Sequence, residues 1–322
     1  MWVADMDFRA PKIIQEKLHG INSHGIYGYY GDYKEYNNSI KWWMKNRHNW
    51  EIDTSWIFTT HGLVNGTGLC IDAFTKPGDG IILFTPVYYQ FSNLVEAARR
   101  KVVECPLKLI DNHYHFDFVE YERKLSGDEK MVILCSPHNP GGRVWTKNEL
   151  QEVAKFAKKH NLVLVSDEIH HDLVYPNKNH TVMPIADPSV CDRLVMMTAT
   201  TKTFNIAGAH SGNVIISNPN LRQKFSQRIK ALGISPNSFG LFMATAAYSP
   251  EGAEWLDELL HYIDGNRVIF DKEVNKIPGL SSMPLEGTYL AWVDFSGTGM
   301  EEKEFIYRVQ EKAKIAVNHG ST

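Results

Sequence analysis

Cysteine is scarce in this chain: the four residues, Cys70, Cys105, Cys135 and Cys191, lie far apart and form no CxxC pair. Neither a zinc site nor a disulfide framework is therefore expected, and buried free thiols are the natural reading of Cys70 and Cys135, which sit in apolar runs. No continuous apolar stretch approaches the length of a bilayer span, and the amino terminus lacks the basic, apolar and small-residue succession of a signal peptide. Excess charge of either sign is missing too: 34 Lys and Arg stand against 37 Asp and Glu, a formal net charge of -3. That balance gives no electrostatic reason to expect nucleic acid or an acidic membrane as partner. His138 and the pair His170-His171 could be metal ligands, but no carboxylate or cysteine cluster at ligand spacing completes a site. Repeats and low-complexity tracts are absent as well. A cytoplasmic protein without a bound metal is expected. With 322 residues, 43% hydrophobic and 22% charged, the chain is long enough for a large core and a second domain.

What is present is an alternation of strands and helices. Gly80 to Phe84, Met131 to Ser136, Leu162 to Ser166, Leu194 to Thr198 and Asn213 to Ser217 are short runs rich in Val, Ile and Leu, bounded by Gly, Pro, Asp or Asn. Such runs fit strands buried on both faces. Between the second and third, Thr146 and Glu149 form a capping box, after which Leu150, Val153, Ala154 and Ala157 recur at helical spacing. The βαβ succession predicts an α/β fold with a mostly parallel sheet. From Ala253 to Lys276 the chain is long, charged and helical in period, interrupted only by Gly265, and it leads to the strand-like Thr288 to Asp294. A domain junction is expected there.

The chemistry-bearing residues fall at strand ends, where open α/β sheets place their ligands. Lys202 follows the apolar run Arg193 to Met197; an amine held there and partly desolvated can lose its proton and attack a carbonyl to form a Schiff base. A surface lysine is the plain alternative. Asp167 follows Leu162 to Ser166 at the same edge, and a carboxylate at that depth needs a cation or hydrogen-bond donors. The protonated nitrogen of a pyridine ring would serve, making pyridoxal phosphate (PLP) an electron sink, although an Asp-Glu pair after a strand also suits a helix N-cap or a magnesium ligand. Asn139, the one amide side chain in Ser136 to Gly142, can donate to a phenolate-like oxygen or simply make a turn. Thr60-His61-Gly62-Leu63-Val64 follows the strand-like Trp56 to Thr59 and precedes an apolar helix, so its free N–H groups could hold a phosphate. Tyr88, in Thr85 to Tyr89, offers a ring to stack on a flat cofactor or to pack in the core.

Taken together, Met1 to Phe8 (Met-Trp-Val-Ala-Asp-Met-Asp-Phe), Gly28-Tyr29, Pro86-Val87-Tyr88, His138 to Trp145, Ser166 to His170 and Lys202 to Gly208 resemble the signature segments of class I/II PLP-dependent aminotransferases. More narrowly they resemble the MalY/PatB branch, whose members are cystathionine β-lyases, or C-S lyases. The opening segment, His170 where many aminotransferases carry Tyr, and Phe-Asn-Ile-Ala-Gly after the lysine favour that branch. The resemblance implies the PLP-dependent transferase fold of type I. It divides the chain into an N-terminal segment over residues 1–27, a large PLP-binding domain over 28–265 and an incomplete small domain over 266–322.

By that resemblance Lys202 forms the Schiff base with PLP, Asp167 pairs with the pyridine nitrogen, Asn139 binds the ring oxygen, Tyr88 stacks on the ring and His170 joins the cofactor pocket. The backbone after Gly62, at Leu63 and Val64, and the Thr201 hydroxyl would bind the phosphate, and Tyr29 would reach the phosphate in the neighbouring subunit of a homodimer. The implied reaction is α,β-elimination of cystathionine, or a related S-substituted cysteine as the small amino-acid substrate, to homocysteine or another thiol, pyruvate and ammonia. Amino transfer uses the same residues, and members of the branch can act as regulators through a protein partner, so both remain alternatives. Three departures stand out. The eighth position after Lys202 is His210 rather than a phosphate-binding arginine, and Thr200-Thr201 replaces the usual Pro-Ser before the lysine. The chain ends at Val317 to Thr322 with no residue matching the arginine that grips the substrate carboxylate. A fragment of a longer protein is therefore expected, one that binds PLP yet handles substrate poorly.

Overall fold

The computed structural model describes residues 3–321; Met1, Trp2 and Thr322, which belong to the opening signature segment and the final residues discussed above, lie outside the described residues. Among the described residues there are eleven strands: β1 Ile57–Thr60, β2 Gly80–Leu83, β3 Lys101–Glu104, β4 Lys108–Ile110, β5 His113–His115, β6 Glu129–Cys135, β7 Val163–Asp167, β8 Leu194–Thr198, β9 Gly212–Ile215, β10 Ser281–Ser282 and β11 Val293–Asp294. Seven of them form one sheet in the order β1-β9-β8-β7-β6-β2-β3. The pairs β2/β3, β2/β6, β6/β7 and β7/β8 are parallel, and β9 runs against both β8 and β1. Six strands thus point one way, and their carboxyl ends share an edge.

The inner strands read as unbroken apolar runs because both faces are covered. Val132 and Leu134 of β6 pack with Leu150, Val153 and Ala154 of the helix Lys147–Lys159, whereas Met131 and Ile133 pack on the opposite face with Leu69 and Cys70 of the helix Gly62–Phe74. The alternation of strand side chains between faces sends neighbouring residues to different helices. Thr146 accepts from the Glu149 N–H while Glu149 accepts from the Thr146 N–H, the expected capping box. A third apolar cluster, with Trp43, Phe204, Tyr248 and Leu256, lies beyond the sheet and anchors the segment that follows Lys202.

Several expected boundaries move. Trp56 belongs to a short 3-10 turn, Thr54–Trp56, and the strand starts one residue later. The long helix spans Pro250–Val274 and runs through Gly265 without a break. The strand expected over residues 288–294 is corrected: only Val293–Asp294 pairs, with Ser281–Ser282, and Thr288 has φ 66. A positive φ at a β-branched residue takes the chain out of extended geometry, and Gly287 instead makes an isolated bridge to Val174. The edge strand β3 goes unanticipated because charged Lys101 and Glu104 bound its two valines, a pattern suited to an exposed edge.

Candidate active site

The shared carboxyl edge gathers the expected residues. Gly62 follows β1, Tyr88 follows β2, Asn139 follows β6, Asp167 ends β7 and Lys202 lies four residues past Thr198 of β8. Register fixes the middle of this row: Asp167 sits opposite Cys135 of β6 on one side and Met197 of β8 on the other.

Asp167 is buried, with 6% of its surface exposed. Its carboxylate accepts from the Ile169 N–H at 3.1 Å, and among the described residues it forms no ion pair. Desolvation therefore dominates, with adjacent Glu168 adding repulsion, and the carboxyl is raised from 3.8 to about 7. Glu168 points elsewhere: it accepts from Ser166 Oγ at 2.8 Å, the Met183 N–H at 3.0 Å and His180 Nε2 at 2.6 Å.

Lys202 sits in a four-residue helix, Thr200–Thr203, that starts directly after β8. Fully buried Phe204 ends this turn and holds it to the third core cluster; burying such a ring is worth roughly 1.5–3 kcal/mol. Lys202 Nζ donates to the Ala4 carbonyl at 2.7 Å. Burial lowers the lysine's pKa and the nearby Asp5 carboxylate works against that shift. His170 is buried beside it; desolvation first, and the Lys202 charge second, push the imidazole from 6.5 to about 3. The ring is neutral at physiological pH, and among the described residues its Nδ1 has no hydrogen-bond partner. Tyr289, which the sequence did not single out, meets His170 edge-on with ring centroids 6.0 Å apart and donates its hydroxyl to the same Ala4 carbonyl at 2.8 Å.

At the other end, Gly62 opens the helix Gly62–Phe74 at φ 79, a left-handed value that costs glycine little. No side chain caps this helix, so the N–H groups of Gly62, Leu63 and Val64 begin a turn suited to an anion. Leu63 is buried and Val64 exposed. Thr201 is 6% exposed, and the hydroxyl of its neighbour Thr200 is buried without a partner among the described residues. His210 is exposed, at φ 45.

Tyr88 is half-buried, packs edge-on against Phe91 at 5.8 Å, and lies close enough to Asp167 for that carboxylate to raise its pKa after burial and Tyr89. Asn139 is half-buried, its side-chain amide making no hydrogen bond among the described residues. Its loop is tied down by its neighbours. His138 Nε2 meets the Pro86 carbonyl at 2.9 Å, joining the Asn139 and Tyr88 loops. Arg143 reaches Glu286 at 3.0 Å, Glu149 at 3.0 and 3.1 Å, and the Tyr114 carbonyl. Burial alone would raise the Glu286 carboxyl, but Lys178 at 2.5 Å, the Val144 N–H and Arg143 hold it below the usual range. Tyr29 is not brought to this pocket; its side chain is fully exposed.

Two parts of this arrangement were hidden in the sequence. Glu286 and Tyr289 lie more than a hundred residues from their partners in chain order, and no local pattern marks them. Asp172 accepts from Trp43 Nε1 at 2.9 Å, His48 Nε2 at 2.8 Å and Thr203 Oγ1 at 2.8 Å, and so braces the turn that carries Lys202. From the sequence no carboxylate is expected to join His171 in a cluster, yet donor atoms of His48, His171 and Asp172 lie within 4.8 Å of one another. Three N–H or O–H donors already engage that carboxylate.

The residues fit a flat, phosphorylated pyridine. A buried carboxylate without a cation suits a protonated ring nitrogen, an uncapped helix start and buried threonines suit a phosphate, and an unengaged amide suits a ring oxygen. Among the described residues no helix is long and apolar enough to cross a membrane.

The profile of the family "Aminotransferase class I and II" matches residues 5–322. The chain is 37% identical over 324 aligned residues to Cystathionine beta-lyase PatB of Bacillus subtilis, covering 100% of this chain and 84% of PatB. It is 30% identical to Protein MalY of Escherichia coli, covering 99% of this chain and 82% of MalY. Among solved structures, cystalysin from Treponema denticola, which contains a pyridoxal 5'-phosphate cofactor, superposes with a TM-score of 0.93 at 40% identity, covering 98% of this chain and 80% of cystalysin. The strand-end lysine, the buried aspartate and these likenesses converge: the chain belongs to the class I and II aminotransferase family, in its MalY/PatB branch.

Proposed function

We propose that this protein is a PLP-dependent carbon-sulfur β-lyase that splits L-cystathionine, or a related S-substituted cysteine, into a thiol, pyruvate and ammonia in the cytoplasm. The observation that carries the reading is the pairing, on adjacent strand ends, of a desolvated amine at Lys202 with a buried carboxylate at Asp167 that has no cation. The likeness to PatB and to the PLP-bound C-S lyase from Staphylococcus hominis, at 29% identity and a TM-score of 0.89, supports β-elimination as the reaction.

PLP, when bound, supplies an electron sink for the pair left behind at the substrate α-carbon. Asp167 would hold the proton on the ring nitrogen, Asn139 would donate to the ring oxygen, and Tyr88 would cover one face. The N–H groups of Gly62, Leu63 and Val64 with the Thr201 hydroxyl would hold the phosphate. Lys202 would anchor the cofactor and take the substrate α-proton on Nζ. The C–H electron pair would become the Cα–Cβ π bond as the thiolate leaves the β-carbon with the C–S pair, and water would then release pyruvate and ammonia. Burial aids this step because it lowers the pKa of Nζ and so favours the neutral amine. Neutral His170 shapes the pocket without adding a second positive charge beside the lysine.

The working unit in this reading is a homodimer in which Tyr29 reaches the phosphate of the partner's cofactor. Support comes from the neighbourhood of that side chain, where Ile26 and Tyr27 are also exposed apolar groups. The three-part division at residues 27 and 265 belongs to the same reading.

The test is product analysis. Protein loaded with PLP and given cystathionine should release pyruvate, ammonia and homocysteine with no oxo acid added. Turnover seen only when 2-oxoglutarate is supplied would replace the lyase with a transaminase.

A further inference from the structure

Asn205 lies three residues beyond Lys202, at φ 54, in the turn that closes the lysine's short helix. Its side chain is spent entirely on a segment 199 residues away in sequence: Oδ1 accepts from the Met6 N–H at 2.9 Å, and Nδ2 donates to the Met6 carbonyl at 2.6 Å and the Phe8 carbonyl at 2.8 Å. Three hydrogen bonds from one amide fix both the position and the direction of the irregular backbone they grip. Two residues before Met6 in this gripped segment is Ala4, whose carbonyl accepts from both Lys202 Nζ and the Tyr289 hydroxyl. The two stretches that most favoured the MalY/PatB branch, Ala4 to Phe8 and Phe204 to Gly208, therefore meet directly over the lysine.

We propose that Asn205 is a positioning residue: it clamps the N-terminal segment so that the Ala4 carbonyl stands ready to receive the Lys202 ammonium each time Nζ gains a proton. The inference rests on Lys202 being the base proposed above. Burial penalises the ammonium, and a carbonyl already aimed at it offsets part of that penalty at no cost of reorganisation during the reaction. Asn205 and Lys202 share one turn, held by the Phe204 N–H to Thr200 and the Ile206 N–H to Thr201 bonds of 3.0 Å, so the clamp and the amine it serves move together. Three other polar groups face Nζ or its acceptor: the Asp5 carboxylate, the His170 imidazole and the Tyr289 hydroxyl.

Two variants of the PLP-loaded protein separate the clamp from the backbone turn. Asn205→Gly removes the amide and tolerates a left-handed φ without strain; Asn205→Asp keeps an acceptor for the Met6 N–H and loses both donor contacts. Hydrogen exchange at the Met6 amide should quicken at least about tenfold in Asn205→Gly, with Asn205→Asp between it and the wild type. The rate at which bound amino acid exchanges its α-proton in heavy water should fall about tenfold in kcat with KM little changed, the effect of losing one hydrogen bond to a charged donor. The proposal is overturned if Asn205→Gly exchanges both the Met6 amide and the α-proton at wild-type rates, or if the α-proton rate is unchanged while the Met6 amide is freed. Failure of the wild type itself to exchange any α-proton would strike the base assignment of Lys202 and the clamp's purpose with it, a result readily told from the other two.

Discussion

Replacing Asp167 by asparagine should have opposite effects on stability with and without PLP. In protein stripped of PLP, the carboxyl is raised from 3.8 to about 7, a difference of roughly 3 pKa units, or about 4 kcal/mol. A raised folded-state pKa means that the contribution is complete below about pH 4 and is lost as pH climbs toward 7, because the folded chain must then carry a buried, unpaired charge. Asparagine carries none and can still accept from the Ile169 N–H. Stripped Asp167→Asn should therefore be more stable than stripped wild type by about 4 kcal/mol at pH 8 and by less than about 2 kcal/mol at pH 5. For 322 residues the unfolding entropy near 60 °C is about 0.7 kcal/mol/K, so the pH 8 gap corresponds to about 6 °C in Tm. Loading with PLP reverses the order, since a protonated ring nitrogen gives the wild-type carboxylate its cation and leaves the amide with a mismatched partner. Calorimetric melts of both proteins at both pH values, stripped and loaded, would read all of this. A stripped variant that melts at or below the stripped wild type at pH 8 would refute the reasoning.

Lys202→Ala should abolish both the Schiff-base absorption of the PLP-loaded protein and pyruvate release, while the stripped protein melts no lower than wild type because a desolvated amine has been removed. Asp172→Ala leaves the Trp43, His48 and Thr203 donors without their acceptor and should cost about 3–5 kcal/mol at neutral pH, seen as a lower Tm. Burial opposes ionisation at Asp172 but His171, His48 and Thr203 outweigh it and depress the carboxyl; the gap between wild type and variant is thus complete above about pH 4 and narrows as pH falls further. Gly142→Ala combines a φ of 65 with a Cβ placed 2.2 Å from Leu285 Cδ1, so it should destabilise by about 1–3 kcal/mol and weaken PLP affinity through the Asn139 loop, measured by equilibrium dialysis.

The sequence reading located the sheet well where burial is symmetric. Strands β6, β7 and β8 are covered on both faces, so their apolar runs are continuous, and the residues at or beyond their carboxyl ends, Asn139, Asp167 and Lys202, could be placed at one edge by counting. Legibility failed where the environment is one-sided or made by distant contacts. Strand β3 lies at the sheet edge between charged residues, and the segment around Thr288 owes its shape to Gly287 and Glu286 reaching back to Gly142. The Ala4 carbonyl and Tyr289 come to Lys202 from opposite ends of the chain, and a carbonyl has no sequence signature at all. Tyr29 is singled out only by the family resemblance, and its side chain is exposed in this chain.

The electrostatic character of the pocket follows from a contact that is not made. Lys202 and Asp167 stand on neighbouring strand ends, yet among the described residues they form no ion pair with each other; the amine turns to the Ala4 carbonyl and the carboxylate to a single backbone N–H. Had they paired, each would have repaid the other's desolvation, and neither would keep the perturbed pKa that reactive groups need. Kept apart, the lysine retains an amine able to engage a carbonyl, and the aspartate retains a demand for a cation. In the proposed function one ligand meets both demands by carrying an aldehyde at one side of a ring and a basic nitrogen at the other. Closing the gap between the two side chains by a salt bridge would on that reading remove both demands and with them the chemistry of the site.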